Sequence, residues 1–263
     1  MRNLRIAIVG AGNMAWQLSR VLEDAGHIVA LVWARSIAQA EELVNNVYEA
    51  EATDDTDLRE VDVEVFILAI ADDAISEVAA SLLFPPGALL VHTSGSRSIA
   101  ELGDHPGPKG VFYPLQTISK AKAISLAGVP ICLEADGEEA EELVYALASS
   151  LSKDIYWLNH QQRLALHVAA VFASNFANHM LTLAKDVLDA EELPFKMLRP
   201  LIRETIDKAF IVGPAEGQTG PALRQDYVTM SLHLRHLGDN PDLNQLYQTV
   251  SDSIIAHSER KEQ

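Results

Sequence analysis

Near its start the chain carries Gly10-Ala11-Gly12-Asn13-Met14-Ala15, a G-x-G-x-x-A spacing that follows the apolar run Ile6-Ala7-Ile8-Val9. After it, Met14, Leu18, Val21, Leu22 and Ala25 recur at helical spacing until Gly26. A strand, a glycine turn and a helix in that order form a site for the phosphates of a dinucleotide. The first glycine permits the tight turn, the second lets backbone approach a pyrophosphate, and the small Ala15 allows the helix to pack closely. Free N–H groups at the helix start attract the anion. Gly10, Gly12, Asn13 and Met14 are therefore candidate pyrophosphate residues.

An NAD-selective site places Asp or Glu at the end of the second strand, where it binds the ribose 2′-OH. Here no carboxylate occurs between Asp24 and Glu41, and the strand ends Trp33-Ala34-Arg35-Ser36. A guanidinium and a hydroxyl suit a 2′-phosphate, because arginine binds phosphate oxygens through paired hydrogen bonds. The expected cofactor is NADP(H), with Arg35 and Ser36 on its 2′-phosphate. Ser36 can also serve as a helix N-cap.

Ligands of open α/β sheets sit beyond the carboxyl ends of the strands. Ala71 and Ser94, each following an apolar run, are placed to flank the nicotinamide. His92 ends a strand and offers a titratable imidazole for proton donation. Asp72 and Asp73 precede a helical pattern and read as N-caps. On a long helical stretch His167, Val171, Asn175 and Asn178 share one face at α-helical spacing, interrupting an otherwise apolar surface. Buried His and Asn there need a ligand or a protein partner. His92, Ser94, His167 and Asn175 are thus the catalytic candidates. Gln116, Asn178, Thr219 and Arg224 are the substrate-binding ones, with Arg224 able to clamp a carboxylate or to pair internally with Asp226. His179, His233 and His236 have no convergent carboxylates or thiols, so no metal site is expected.

These residues need a scaffold. From Leu4 to Leu158 short apolar runs alternate with helical patterns, predicting a doubly wound Rossmann-type parallel sheet. Its strands are read at Leu4–Val9, Ile28–Trp33, Val65–Ile70, Ala88–His92, Gly110–Tyr113, Val129–Leu133 and Ile155–Leu158. After Asn159 the pattern becomes all-helical: Gln161–Leu188, Pro194–Phe210, Tyr227–Leu237 and Leu243–Ser258. The expected domains are residues 1–158, binding the dinucleotide, and an all-α C-terminal domain at 159–263, with the substrate in the cleft between them.

Composition narrows the function further. Lys plus Arg number 20 against 37 Asp plus Glu, a net charge of −17 that repels phosphate backbones and anionic lipid, so nucleic-acid and membrane-surface roles are disfavoured. The longest apolar run, Val65 to Ala71, is far shorter than the roughly 20 residues of a bilayer span. The run after Arg2 and Arg5 reads as a buried strand rather than a signal peptide. Cys132 is the sole cysteine, excluding an intramolecular disulfide and suiting a reducing, cytoplasmic setting. Gly (14) and Pro (11) are near average usage, and disorder is expected only in the polar tail Ser258–Gln263.

The glycine fingerprint and Arg35-Ser36 are followed by Ile67-Leu68-Ala69-Ile70-Ala71-Asp72-Asp73-Ala74-Ile75, His92-Thr93-Ser94-Gly95-Ser96 and Tyr113-Pro114-Leu115-Gln116-Thr117. In the helical half come His167–Phe176 and Thr219–Asp226. Taken together, the chain resembles Rossmann-like NADP oxidoreductases that carry a C-terminal domain of unknown function. It is similar, more distantly, to pyrroline-5-carboxylate reductase and the deazaflavin-dependent NADP reductases. The resemblance implies a two-domain reductase that dimerises through its helical half, and the Ala/Leu-rich helices suit a homodimer. It does not carry over the chemistry of 3-hydroxyisobutyrate dehydrogenases, whose catalytic Lys falls at Val171 if Asn175 matches their Asn. Two readings follow: an NADP(H)-dependent oxidoreductase of a small polar carbonyl or imine, with His92 and His167 as acid/base groups, or a dinucleotide-binding sensor without turnover.

Overall fold

The computed structural model describes residues 3–261. The chain divides into two compact units, residues 1–176 and 177–263.

In the first unit the elements run β1 (Arg5–Val9), α1 (Asn13–Asp24), β2 (Ile28–Trp33), α2 (Ile37–Val44), β3 (Glu51–Thr53), β4 (Val65–Leu68), α3 (Ile75–Ser81) and β5 (Leu89–His92). They continue with β6 (Lys109–Pro114), β7 (Ile131–Ala135), α4 (Glu138–Leu151), β8 (Ile155–Trp157) and α5 (His160–Ala170). The strands form one sheet in the order β3-β2-β1-β4-β5-β6-β7-β8. Neighbours are parallel except β6 and β7. The doubly wound parallel sheet read from the sequence is thus present, with one reversed pair at its end, and among the described residues no helix lies between β6 and β7 to carry the chain back to the sheet's other end, so that strand returns antiparallel.

The central strands are buried on both faces, which is why they read as continuous apolar runs. On one face Ile6, Ile8, Ile67 and Val91 pack with Leu18 and Leu22 of α1 and Val144 and Leu147 of α4. On the other, Val9, Phe66, Leu68 and Leu90 pack with Ile75 and Val78 of α3 and with Phe84. The β1–β4 junction is where strand order reverses, and the crevice beyond these carboxyl ends is the fold's natural ligand position.

Asn159, where the sequence changes texture, caps α5: its side chain accepts the Gln162 N–H at 2.9 Å and the Gln162 side chain returns a bond to the Asn159 N–H. The compact units nevertheless part at Phe176, because α5 packs on the sheet. Leu166 joins Val111, Tyr113 and Cys132, and Arg163 is fully buried against Glu134. Residues Val171–Phe176 form a π-helical segment.

The second unit contains α6 (Ala177–Ala190), a 3-10 turn at Phe195–Leu198, α7 (Arg199–Val212), the single turn α8 (Pro214–Gly217), α9 (Tyr227–Leu237) and α10 (Pro241–Lys261). Because α10 continues to Lys261, the expected disorder from Ser258 is corrected up to that residue; Glu262 and Gln263 lie outside the described residues. The helical stretch His160–Ala190 is long and apolar enough to cross a membrane by length and composition. Counting uninterrupted apolar residues misses it, because His167, Asn175 and Asn178 break the run.

Candidate functional site

The turn after β1 is built as its spacing requires. Gly10 has φ +121°, and a Cβ there would lie 2.5 Å from the Ala69 carbonyl oxygen, so the close approach of the β1 turn to the end of β4 admits only glycine. The Gly10 N–H donates to the Trp33 carbonyl at 2.7 Å, tying the same turn to the end of β2. Gly12 stands at the N-cap of α1, and a Cβ built on it would meet nothing within 4 Å. That open space beside the first amides of α1 is the approach a pyrophosphate needs.

A cavity of about 370 Å3 spreads from this turn across the carboxyl ends of β1, β2 and β4. Gly10, Gly12, Asn13, Met14, Arg35 and Ala71 all line it, so these sequence candidates are brought together. Its lining contains no carboxylate. Ser36 is at the N-cap of α2, but its hydroxyl makes no capping bond; the Ser36 carbonyl accepts the Gln39 N–H at 3.0 Å. Gln39 also lines the cavity and was missed from sequence, although its place one helical turn beyond Ser36 was a usable signal. Helix-start amides, a guanidinium and no opposing carboxylate fit a phosphate-rich dinucleotide with an additional phosphate near Arg35.

At the end of β5, His92 is completely buried. Burial, helped by the nearby Arg163 guanidinium, lowers its pKa to about 4, so the ring is neutral. Its Nδ1 accepts the Ser94 N–H at 3.2 Å. The Ser94 hydroxyl, also buried, accepts the N–H groups of Ser96 at 3.1 Å and Arg97 at 3.0 Å. The geometry gives His92 and Ser94 the work of holding the β5 turn, and the inaccessible neutral ring of His92 counts against the proton-donor role expected of it. Asp72 makes no N-cap bond; it accepts the Ser96 hydroxyl at 2.7 Å.

A second imidazole is placed differently. His167 of α5 is half-buried, and its Nδ1 lies 3.1 Å from the hydroxyl of Tyr113 on β6, with the two rings edge to face at 6.0 Å. Gly95 lies directly against the pair: a Cβ there would fall 2.7 Å from both His167 Nδ1 and Tyr113 Cζ. Burial, with Cys132 and Asp72 adding to it, pushes the Tyr113 phenol above its ordinary pKa. Arg163 approaches within 3.5 Å of His160 and donates to the Glu134 carboxylate and the Arg97 carbonyl, bracing α5 against the sheet and the β5 loop.

The remaining candidates are distributed more loosely. The α-helical stripe from His167 to Asn178 is interrupted by the π-helical segment at Val171–Phe176, which changes the angular spacing, and both Asn175 and Asn178 are exposed. The buried-polar argument therefore applies to His167 and not to them. Gln116 is exposed, its side-chain oxygen accepting the Thr117 N–H at 2.9 Å. In the second unit Thr219 borders an apolar cavity of about 340 Å3, Arg224 is exposed, and Asp226 caps α9 by accepting the Thr229 N–H at 3.0 Å. His233 pairs with the Tyr247 hydroxyl at 2.8 Å.

Residues 5–94 match the family model described as NADP oxidoreductase, coenzyme F420-dependent, and residues 129–254 match a domain of unknown function, DUF2520. No curated protein matches the chain. Among solved structures, a Bacteroides fragilis protein assigned as an NADP oxidoreductase is 38% identical, with a TM-score of 0.88 over 97% of this chain and 98% of that one. Protein TM1727 from Thermotoga maritima is 21% identical, with a TM-score of 0.66 over 98% and 100% of the two chains. A reductive aminase from Aspergillus terreus, solved with NADPH and ethyl-5-oxohexanoate, is 15% identical, with a TM-score of 0.69 over 98% and 93%. These last two show a shared fold.

Proposed function

The chain belongs to the NADP oxidoreductase family, and from that premise we propose that it is an NADP(H)-dependent reductase of a small polar carbonyl or imine. The observation that carries the reading is the cavity at the carboxyl ends of β1, β2 and β4, where Gly10, Gly12 and the α1 amides face the same space as Arg35 and no carboxylate opposes them. Gly12, Asn13 and Met14 hold the pyrophosphate; Arg35, with Ser36 and Gln39, holds the 2′-phosphate. Ala71 borders the nicotinamide end.

When bound, the cofactor supplies a hydride. The protein's part is to place the acceptor carbon and to deliver a proton to the oxygen or nitrogen that gains charge. His167 is the group proposed for that proton. It is partly accessible where His92 is fully buried, and it stands against Gly95 in the loop after β5, at the carboxyl end of that strand. The reductive aminase sharing this fold makes imines formed from a ketone and an amine the first substrates to try.

The helices leave Phe210 88%, Ile211 80% and Val228 74% exposed, with Phe172 and Leu201 close behind. So much apolar surface favours a covering partner, and the proposed partner is a second copy of this chain.

The test is loss of NADPH absorbance on addition of small ketones, aldehydes and ketone–amine mixtures. Turnover with at least one class, reduced in His167→Gln at unchanged NADPH affinity, supports the proposal. NADPH binding with no turnover across all classes favours the sensor reading.

A further inference from the structure

Tyr113, which lies between the two segments matched by the family models, stands in a defined relation to His167. We infer that Tyr113 is a positioning residue that fixes His167 in the tautomer bearing its proton on Nε2, with Gly95 as the residue that makes room for the pair. This rests on the proposal that His167 delivers the proton.

The argument is one of hydrogen-bond accounting. Tyr113 is only 8% exposed, and the one bond of its side chain among the described residues is to His167 Nδ1 at 3.1 Å, in a part-buried place. A phenol is both donor and acceptor, while each nitrogen of a neutral imidazole is only one of the two. Were Nδ1 to carry the proton and donate to Tyr113, the phenolic O–H would be left in a largely buried place without an acceptor, at the full cost of its desolvation. With the phenol donating to Nδ1, that group is satisfied and the proton of the neutral ring must reside on Nε2.

Nε2 lies on the far side of the ring from Tyr113, and is the nitrogen left to face a substrate. To deliver a proton the resting ring first takes a second one from solvent at Nδ1, whose N–H the phenol oxygen then accepts; Nε2 gives its proton to the substrate, and the Nδ1–H ring that remains returns to the resting Nε2–H form by exchange with solvent. The same hydroxyl therefore holds the ring in both protonation states without moving. Gly95 is part of the device, because any side chain there collides with His167 Nδ1 and Tyr113 Cζ at 2.7 Å, the two ends of the bond. Arg163, four residues before His167 and anchored on Glu134 and Arg97, keeps the helix from retreating.

The tautomer can be read without any turnover. The protein, labelled with 15N-histidine and saturated with NADP+, is studied by NMR at alkaline pH, where the imidazoles are neutral, and His167→Gln identifies the resonances. The expected result is an Nε2–H ring in the wild type and a mixture of tautomers in Tyr113→Phe, a near-isosteric change that keeps the NADPH affinity. In any assay that shows turnover, Tyr113→Phe should lower kcat about tenfold or more with little effect on KM. Gly95→Ala, the second variant, should lose the Nε2–H preference in the same way. An Nδ1–H ring in the wild type, or the same single tautomer in wild type and Tyr113→Phe, overturns the inference. Neither result depends on whether a substrate has been found, so failure of the reductase reading would be recognised separately.

Discussion

The hydroxyl of Ser96 donates to the carboxylate of Asp72 at 2.7 Å, joining the segment after β4 to the loop after β5. These are the segments that carry Ala71 and Gly95, so the bond links the wall of the cofactor cavity to the loop beneath the Tyr113–His167 pair. Asp72→Ala should lower stability by about 1 kcal/mol, the usual value of one hydrogen bond, and Asp72→Asn, which keeps an acceptor, should recover most of it. Denaturant titration of the three proteins measures both. Equal midpoints for Ala and wild type would remove the bond from the account.

The two glycines of the fingerprint should respond differently to the same change. Gly10→Ala forces a Cβ onto the Ala69 carbonyl at a φ of +121°, so it should destabilise the fold by roughly 2 kcal/mol or more. Gly12→Ala places its methyl in open space at an ordinary φ of −78° and should leave the melting temperature unchanged while weakening NADPH binding at least tenfold. Thermal melts with and without NADPH separate these outcomes. A Gly12→Ala protein with native affinity would move the pyrophosphate elsewhere.

His92 gives stability a defined pH dependence. Its pKa is about 4 in the folded protein against 6.5 for a free side chain. Between those values the unfolded chain binds a proton that the folded chain does not, so stability falls as pH drops from about 6.5 and this contribution levels off below about 4. The full effect is on the order of 3 kcal/mol. His27 and His105 are also lowered by burial and act with the same sign, so His92→Gln should reduce the slope without abolishing it. Denaturation midpoints between pH 4 and 7 provide the check, and an unchanged slope would contradict the burial argument.

The proposed homodimer is testable at the exposed helices. Light scattering at micromolar concentration should give a particle of twice the 28.7 kDa chain mass. Phe210→Asp, at a position 88% exposed, should shift it toward the single-chain mass. A monomer at every concentration would refute the homodimer.

Much of this arrangement is written in local sequence. The β1 turn, β2 from Ile28 to Trp33 and α9 from Tyr227 to Leu237 agree with their sequence readings because glycine spacing and apolar periodicity are local properties. The short edge strand Glu51–Thr53 was illegible, since its exposed and half-buried residues give no apolar run; it is defined by pairing with β2. The antiparallel turn of β7 was hidden for a similar reason, because direction depends on what the intervening loop can span. At the site, the sequence pointed equally to His92 and His167, and only burial separates them. Tyr113 was missed as a partner because it lies 54 residues from His167, a distance that no motif spacing records.

The central claim is that the end of β2 recognises a 2′-phosphate, and calorimetric titration with NADPH and NADH tests it directly. Arg35 stands in the cavity wall without an opposing carboxylate, so NADPH should bind at least about tenfold tighter, a difference of roughly 1.4 kcal/mol. In Arg35→Asp that preference should vanish, with NADH affinity retained. Equal affinities in the wild type, or an undiminished NADPH preference in Arg35→Asp, would contradict the account.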